Sequence, residues 1–183
     1  METTLEKLKK LERILEQGNA PILKYFNAGL KREEVVTRLL QKGIYLNESL
    51  ISLYQWHNGV KYEYGDNFLK IQIFANATFY TLEWALERRE ELIDWEIVDY
   101  PDQYLPIFGS LEGEMYLLKN DIQGEIYYLS PKANIYGEMQ IKSLDKMLDM
   151  IFDCYNEKIF EIDPNKGISY IFMEFLNKKK NYQ

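Results

Sequence analysis

From Tyr104 onward the spacing of apolar residues changes, and that change decides the fold class. Before it, apolar side chains recur every three or four residues: Leu5, Leu8, Leu11 and Leu15, then Val35, Val36, Leu39 and Leu40, then Leu46, Leu50, Leu53 and Tyr54. This is the repeat of helices with one face turned to a core. After it come four short runs rich in Tyr, Ile and Leu: Tyr104–Gly109, Glu114–Lys119, Glu125–Leu129 and Ile135–Ile141. Gly113, Asn120-Asp121 with Gly124, and Pro131 separate them, as turn residues separate strands. Glu114–Leu129 reads as an antiparallel hairpin with a five-residue loop ending in Gly124. Helical spacing returns after Ser143. The order predicts an α+β domain, a mostly antiparallel sheet flanked by N-terminal and C-terminal helices.

The ends of the helices are marked as clearly as their faces. Thr3-x-x-Glu6 forms a capping box, and Gly18-Asn19-Ala20-Pro21 stops the first helix. A second helix covers about 31–42, with Val35, Val36, Leu39 and Leu40 inward. Asn47 caps a third, whose apolar face runs to His57 and which stops at Asn58-Gly59, with Gly59 read as a left-handed C′ residue. Phe68–Phe74 alternates like a strand. Thr81 caps a fourth helix with Leu82, Ala85, Leu86 and Ile93 on one side, and Trp95–Asp102 is a loop or short edge strand. Ser143 caps a fifth through about Lys158. Asp163-Pro164 opens a last helical stretch, 163–183, with Ile168, Ile171, Phe172 and Phe175 inward and Lys178-Lys179-Lys180 at its negative end.

With 183 residues and 46% apolar content, the chain suffices for one domain with a real core. No apolar run approaches the ~18 residues of a membrane span, and the first residues lack a signal-peptide core. Cys154 is the only cysteine, so no intramolecular disulfide forms. These features predict a cytoplasmic protein. The formal charge of −7 is uneven: residues 61–163 hold nine bases against twenty-one acids, whereas 164–183 hold four bases and one acid. An acidic middle repels phosphate, so direct nucleic-acid binding is not expected, and basic partners are favoured.

The stretch Leu53-Tyr54-x-Trp56-His57-Asn58-Gly59, preceded by Gly43-Ile44-x-Leu46, resembles the signature of the SUKH superfamily. Further segments resemble it in the same order: Gly29–Val35, Tyr104–Gly109, Gly113–Leu118, Gly124–Tyr127 and Ser143–Leu148. Glu114, Lys119 and Leu144 depart from the usual Asp, acidic and aromatic residues. The likeness covers about 29–155, leaving 1–28 as an N-terminal helical extension; residues 1–18 are read as an addition, so a chain starting near Ala20 is expected to fold cooperatively, though less stably without the Leu5, Leu8, Leu11 and Leu15 face. The superfamily holds bacterial immunity proteins of polymorphic toxin systems and fungal cell-wall assembly regulators. The resemblance therefore implies an immunity protein that binds a cognate toxin domain, or else a regulatory scaffold with several protein partners.

Catalysis is the weaker expectation. His57 is the only histidine, so His57 and Cys154 cannot form a multi-ligand zinc site. No phosphate loop, dinucleotide fingerprint or nucleophile elbow occurs. A Cys–His dyad or a carboxylate pair is formally open, but twenty-nine acids make some close pair inevitable. No cofactor, metal or catalytic residue is expected. The sharper signal lies on the helix after Thr81, where Glu83, Glu87, Glu90 and Asp94 fall within about 60° of one another. Like-charge i,i+4 pairs cost helix stability, about 0.2–0.5 kcal/mol each. Glu96 and Asp99 continue the acidity, and Trp84, Trp95 and Tyr100 are nearby aromatic anchors. These carboxylates are the candidate partner-binding residues, set against the alternative of a solvated face. Trp56, His57, Asn58 and Gly59 are read as structural.

Overall fold

Thr3 opens the molecule as its sequence predicts. Its side chain accepts from the Glu6 N–H while the Glu6 carboxylate accepts from the Thr3 N–H, so the first helix α1 (Thr4–Gln17) starts with a closed capping box. The structure is a computed structural model and describes residues 2–61, 67–95, 100–110, 113–130 and 135–183, apart from the side chains of 95 and 135–140. A 3-10 turn (Pro21–Lys24) leads to strand β1 (Phe26–Ala28), helix α2 (Arg32–Gln41) and helix α3 (Glu48–Trp56). Strand β2 (His57–Val60) pairs antiparallel with β1. A second 3-10 turn (Phe68–Ile71) precedes β3 (Gln72–Phe74) and β4 (Ala77–Phe79), and helix α4 (Leu82–Trp95) follows.

The sheet is a meander. Strands β5 (Tyr104–Gly109), β6 (Met115–Lys119), β7 (Ile126–Ser130) and β8 (Ile135–Ile141) continue from β3 and β4, all antiparallel, in the order β3-β4-β5-β6-β7-β8. Period-2 alternation sorts its side chains between two cores. Tyr116, Leu118, Ile126 and Tyr128 face the main core, where α1, α3 and helix α5 (Leu144–Asn156) place their apolar faces. Met115, Leu117, Tyr127 and Leu129 face the other way, against Leu92 of α4. Both faces of the central strands β6 and β7 are thus covered, which fits their nearly continuous apolar and aromatic runs, broken only by Lys119 and Ser130 at their ends.

Several expectations need correction. Leu40 is 59% exposed, because Val35 and Leu39 define the buried stripe of α2 and Leu40 lies a further 100° round. On α4 the buried positions are Leu82, Ala85 and Leu92, and Ile93 turns outward. The first half of Phe68–Phe74 is a 3-10 turn, not strand. Gly59 is left-handed at φ +64, but α3 has already ended at Trp56, so Gly59 serves inside β2 and not as a helix C′. The largest difference is at the C-terminus. Residues 163–170 are not helical: β9 (Phe160–Asp163) and β10 (Gly167–Tyr170) form a hairpin, and only α6 (Phe172–Lys180) is helix. The Asp163 carboxylate accepts from the Asn165 and Lys166 N–H groups, a side-chain turn that competes with helix, and Gly167 sits at φ +107. Residues 62–66, 96–99 and 131–134, which carry parts of the expected turns and of the 95–102 connection, lie outside the described residues; Pro101–Gln103 is a 3-10 turn.

The N-terminal extension proves to be part of the core. Leu8, Leu11 and Leu15 are fully buried in the main cluster, against α3 and α5. Among the described residues no helix is long and apolar enough to cross a membrane.

Candidate functional site

The Trp-His-Asn-Gly element is a junction of four segments. The Trp56 indole N–H donates to Glu12 of α1 at 3.0 Å, and His57 Nε2 lies 3.1 Å from the other oxygen of the same carboxylate. His57 Nδ1 lies 2.9 Å from the Asn27 carbonyl, and the ring stacks flat on Phe26 with centroids 4.2 Å apart. Asn58 works at the next junction: its Oδ1 accepts from the Leu82 N–H at 2.8 Å, capping α4 together with Thr81, whose hydroxyl accepts from the Trp84 N–H. The Asn58 amide also donates to Glu83. At Gly59 a Cβ would lie 2.3 Å from the Thr81 nitrogen, so the chain there can only be glycine. These residues hold the fold and set where α4 begins.

That placement determines the acidic face. Glu83, Glu87, Glu90 and Asp94 are all exposed on α4, and the structure separates them into two pairs. Glu83 meets Arg38 of α2, which also holds Glu34 at 2.5 Å, and Glu90 meets Lys42 at the end of α2. The Lys42 ammonium holds the Glu90 carboxyl below the usual carboxylate range. These two acids brace α2 against α4. Glu87 and Asp94 have no hydrogen bond or ion pair among the described residues. Trp84 is half-buried against Tyr80, with ring centroids 4.3 Å apart, while Tyr100 projects into solvent. Glu96, Asp99 and the Trp95 side chain lie outside the described residues.

The family model for SMI1/KNR4 (SUKH-1) matches residues 34–150, from the first turn of α2 into α5. The chain belongs to this family. No individual curated protein matches it. SUKH-1 proteins are generally immunity or regulatory proteins that act through protein–protein contact and not through catalysis. In this SUKH-1 chain, α1, the β9–β10 hairpin and α6 lie beyond the matched span.

The remaining chemistry fits binding. Cys154 is buried, and burial pushes its thiol up to about 12, away from the nucleophilic thiolate. Both His57 ring nitrogens are turned to Asn27 and Glu12, so no Cys–His dyad assembles. Sequence reasoning missed a cleft of about 220 Å³ between α6 and the sheet. There Tyr128 donates to Glu114 at 2.9 Å, and the Lys179 ammonium lies 4.5 Å from the Tyr128 ring centroid. Burial, ahead of the nearby Glu114 carboxylate, raises the Tyr128 hydroxyl. The signal was present in the directly paired Tyr116 and Tyr128 and in the i,i+4 pair Phe175 and Lys179. It is hidden because apolar spacing extends the helical pattern back to Asp163, whereas α6 begins only at Phe172.

Proposed function

We propose that this SUKH-1 chain is a non-enzymatic immunity protein that binds a cognate toxin domain and blocks its active surface. The observation that carries the reading is the pair of exposed carboxylates, Glu87 and Asp94, that α4 holds without a cation among the described residues. Their neighbours Glu83 and Glu90 are fixed to α2, so the face is rigid and its excess negative charge is directed outward. Glu96 and Asp99 extend the same acidic segment in sequence. A carboxylate face suits a basic toxin, a nuclease above all, since a phosphate-binding site must be cationic. The setting in which such a toxin is neutralised is the cytoplasm.

The test is protection. A large toxin gene with a variable C-terminal domain is expected immediately upstream. Co-expression of this chain is expected to restore growth to cells producing that domain and to form a stoichiometric complex with it. Growth arrest despite a well-folded, abundant chain overturns the reading.

A further inference from the structure

One end of the molecule is tied into a closed circuit by contacts between segments far apart in sequence. Lys42, at the end of α2, meets Glu90 of α4. The neighbouring Arg89 donates to the Asp102 carbonyl at 2.8 Å. The adjacent Gln103 carbonyl accepts from the Asn120 N–H at 2.7 Å, and the Asn120 side chain accepts from the Tyr45 N–H at 2.5 Å. Tyr45 is three residues from Lys42, which closes the ring. The hairpin loop inside it is self-supporting: Asp121 accepts from the Gln123 and Gly124 N–H groups, and the Asn47 amide reaches the Ile122 carbonyl at 3.4 Å. Burial pushes the Asp121 carboxyl up, but these bonds and Lys119 outweigh it and hold it below the usual carboxylate range.

Apolar side chains stand out from this rigid base. Tyr100 is 72% exposed, Ile122 71% and Tyr45 45%. Tyr100 is bulky, precedes Pro101, and has a left-handed backbone at φ 52, a conformation that costs free energy and that its own burial does not offset. The charge around them is not balanced. Among the described residues, Lys42, Arg88 and Lys119 are each in an ion pair, and Arg89 donates to the Asp102 carbonyl without a carboxylate partner, whereas the three carboxylates of Glu87, Asp94 and Asp102 meet no cation, so acids remain in excess.

We propose that this end is the anchor surface for a basic protein partner, with Tyr45, Tyr100 and Ile122 as its apolar anchors and Glu87, Asp94 and Asp102 as its charged border. The inference rests on the acidic-face reading and adds to it the residues that hold the partner once charge has delivered it. Exposed aromatics on a preorganised base lose little freedom on binding, which is what concentrates affinity in a few residues. The competing apolar patch, Ile171 with Phe172 and Met173 at the start of α6, lies in the last twenty residues, where bases outnumber acids four to one, so charge does not bring a basic partner there.

Two synthetic probes separate the anchors from the charge: an 18-residue amphipathic peptide of Lys and Leu, and oligo-lysine of equal net charge. Both are titrated into the ¹⁵N-labelled full chain at low salt. The Lys/Leu peptide is expected to shift the amides of Tyr45, Tyr100 and Ile122. Tyr100→Asn with Ile122→Asn is expected to weaken it about ten-fold or more while leaving oligo-lysine binding unchanged. Asn tolerates the left-handed backbone, and an unchanged spectrum elsewhere verifies the fold. No Lys/Leu binding, binding at Ile171–Met173 instead, or an unaffected double variant overturns the proposal. If oligo-lysine still binds beside Glu87 and Asp94 in those cases, the acidic-face reading survives without the anchors. If oligo-lysine does not bind that face either, both fall.

Discussion

Gly59 sits between two constraints that no other residue meets together. Its φ of +64 costs an L-residue about 1–2 kcal/mol, and its Cα faces the Tyr80–Thr81 backbone at a distance that leaves no room for a Cβ. Gly59→Val is expected to destabilise the protein by about 2–4 kcal/mol, adding the cost of overpacking to that of the backbone. A urea denaturation midpoint equal to wild type refutes it. Glu12 is the second pivotal residue, since one carboxylate receives both Trp56 and His57. Glu12→Ala strands a buried indole N–H and is expected to cost about 1–3 kcal/mol in thermal or chemical unfolding. Coupling to Trp56→Phe in a double-mutant cycle distinguishes this from mere loss of helix propensity in α1. The left-handed state of Gly59 was legible in Asn58-Gly59, because few residues tolerate it. The role of Glu12 was not legible, because its partners lie more than forty residues away and the sequence marks only one acid among many.

At the scale of elements, short-range signals were readable and docking was not. Thr3, Asn47 and Ser143 cap helices where their side chains suggest, and β5 to β8 begin and end within a residue or two of the alternating runs. Residues 163–170 misled because Ile168, Ile171, Phe172 and Phe175 satisfy a helical repeat, while Asp163 and Gly167 impose a turn that apolar spacing does not reveal. The extension misled differently: α1 lies outside the family match yet buries three leucines in the common core. Losing them costs about 2–5 kcal/mol each, comparable to the whole stability of a domain, so a chain beginning at Ala20 is expected to lose its cooperative melt. Helix α6 is held by Phe175, buried in the main core, and by charge. The Tyr182 hydroxyl, ahead of Lys178 at 3.2 Å, holds the Asp153 carboxyl below its usual range. The folded state therefore favours the carboxylate. That contribution is complete above the unfolded value near pH 4 and disappears as pH falls through the depressed folded value. Hydrogen exchange of the α6 amides is expected to accelerate, relative to those of α5, below about pH 4. Asp153→Asn is expected to remove that acid step; an unchanged step assigns it to another group.

For the molecule as a whole, charge is arranged by region: acids dominate 61–163 and bases the last twenty residues. The four acids of α4 were legible as one face from helical periodicity, but their division of labour was not, because Arg38 and Lys42 belong to a helix forty residues earlier. That division directs the functional experiment. Glu83→Lys or Glu90→Lys breaks the bracing of α2 on α4 and confounds folding with binding. Glu87→Lys with Asp94→Lys leaves both braces intact and removes three like-charge i,i+4 repulsions, 83/87, 87/91 and 90/94, so stability is expected to hold or rise by a few tenths of a kcal/mol. Against the toxin domain encoded beside this chain, the double variant is expected to associate about ten-fold more slowly at low salt, with dissociation little changed, because long-range charge acts on encounter more than on the bound state. Wild-type association is expected to slow as salt shortens the screening length through ~10 Å near 0.1 M, and the variant to respond far less. Stopped-flow association across a salt series measures both quantities at once. Equal association rates for wild type and a well-folded variant at low salt leave Glu87 and Asp94 as solvated surface charge and move the partner's approach to another face.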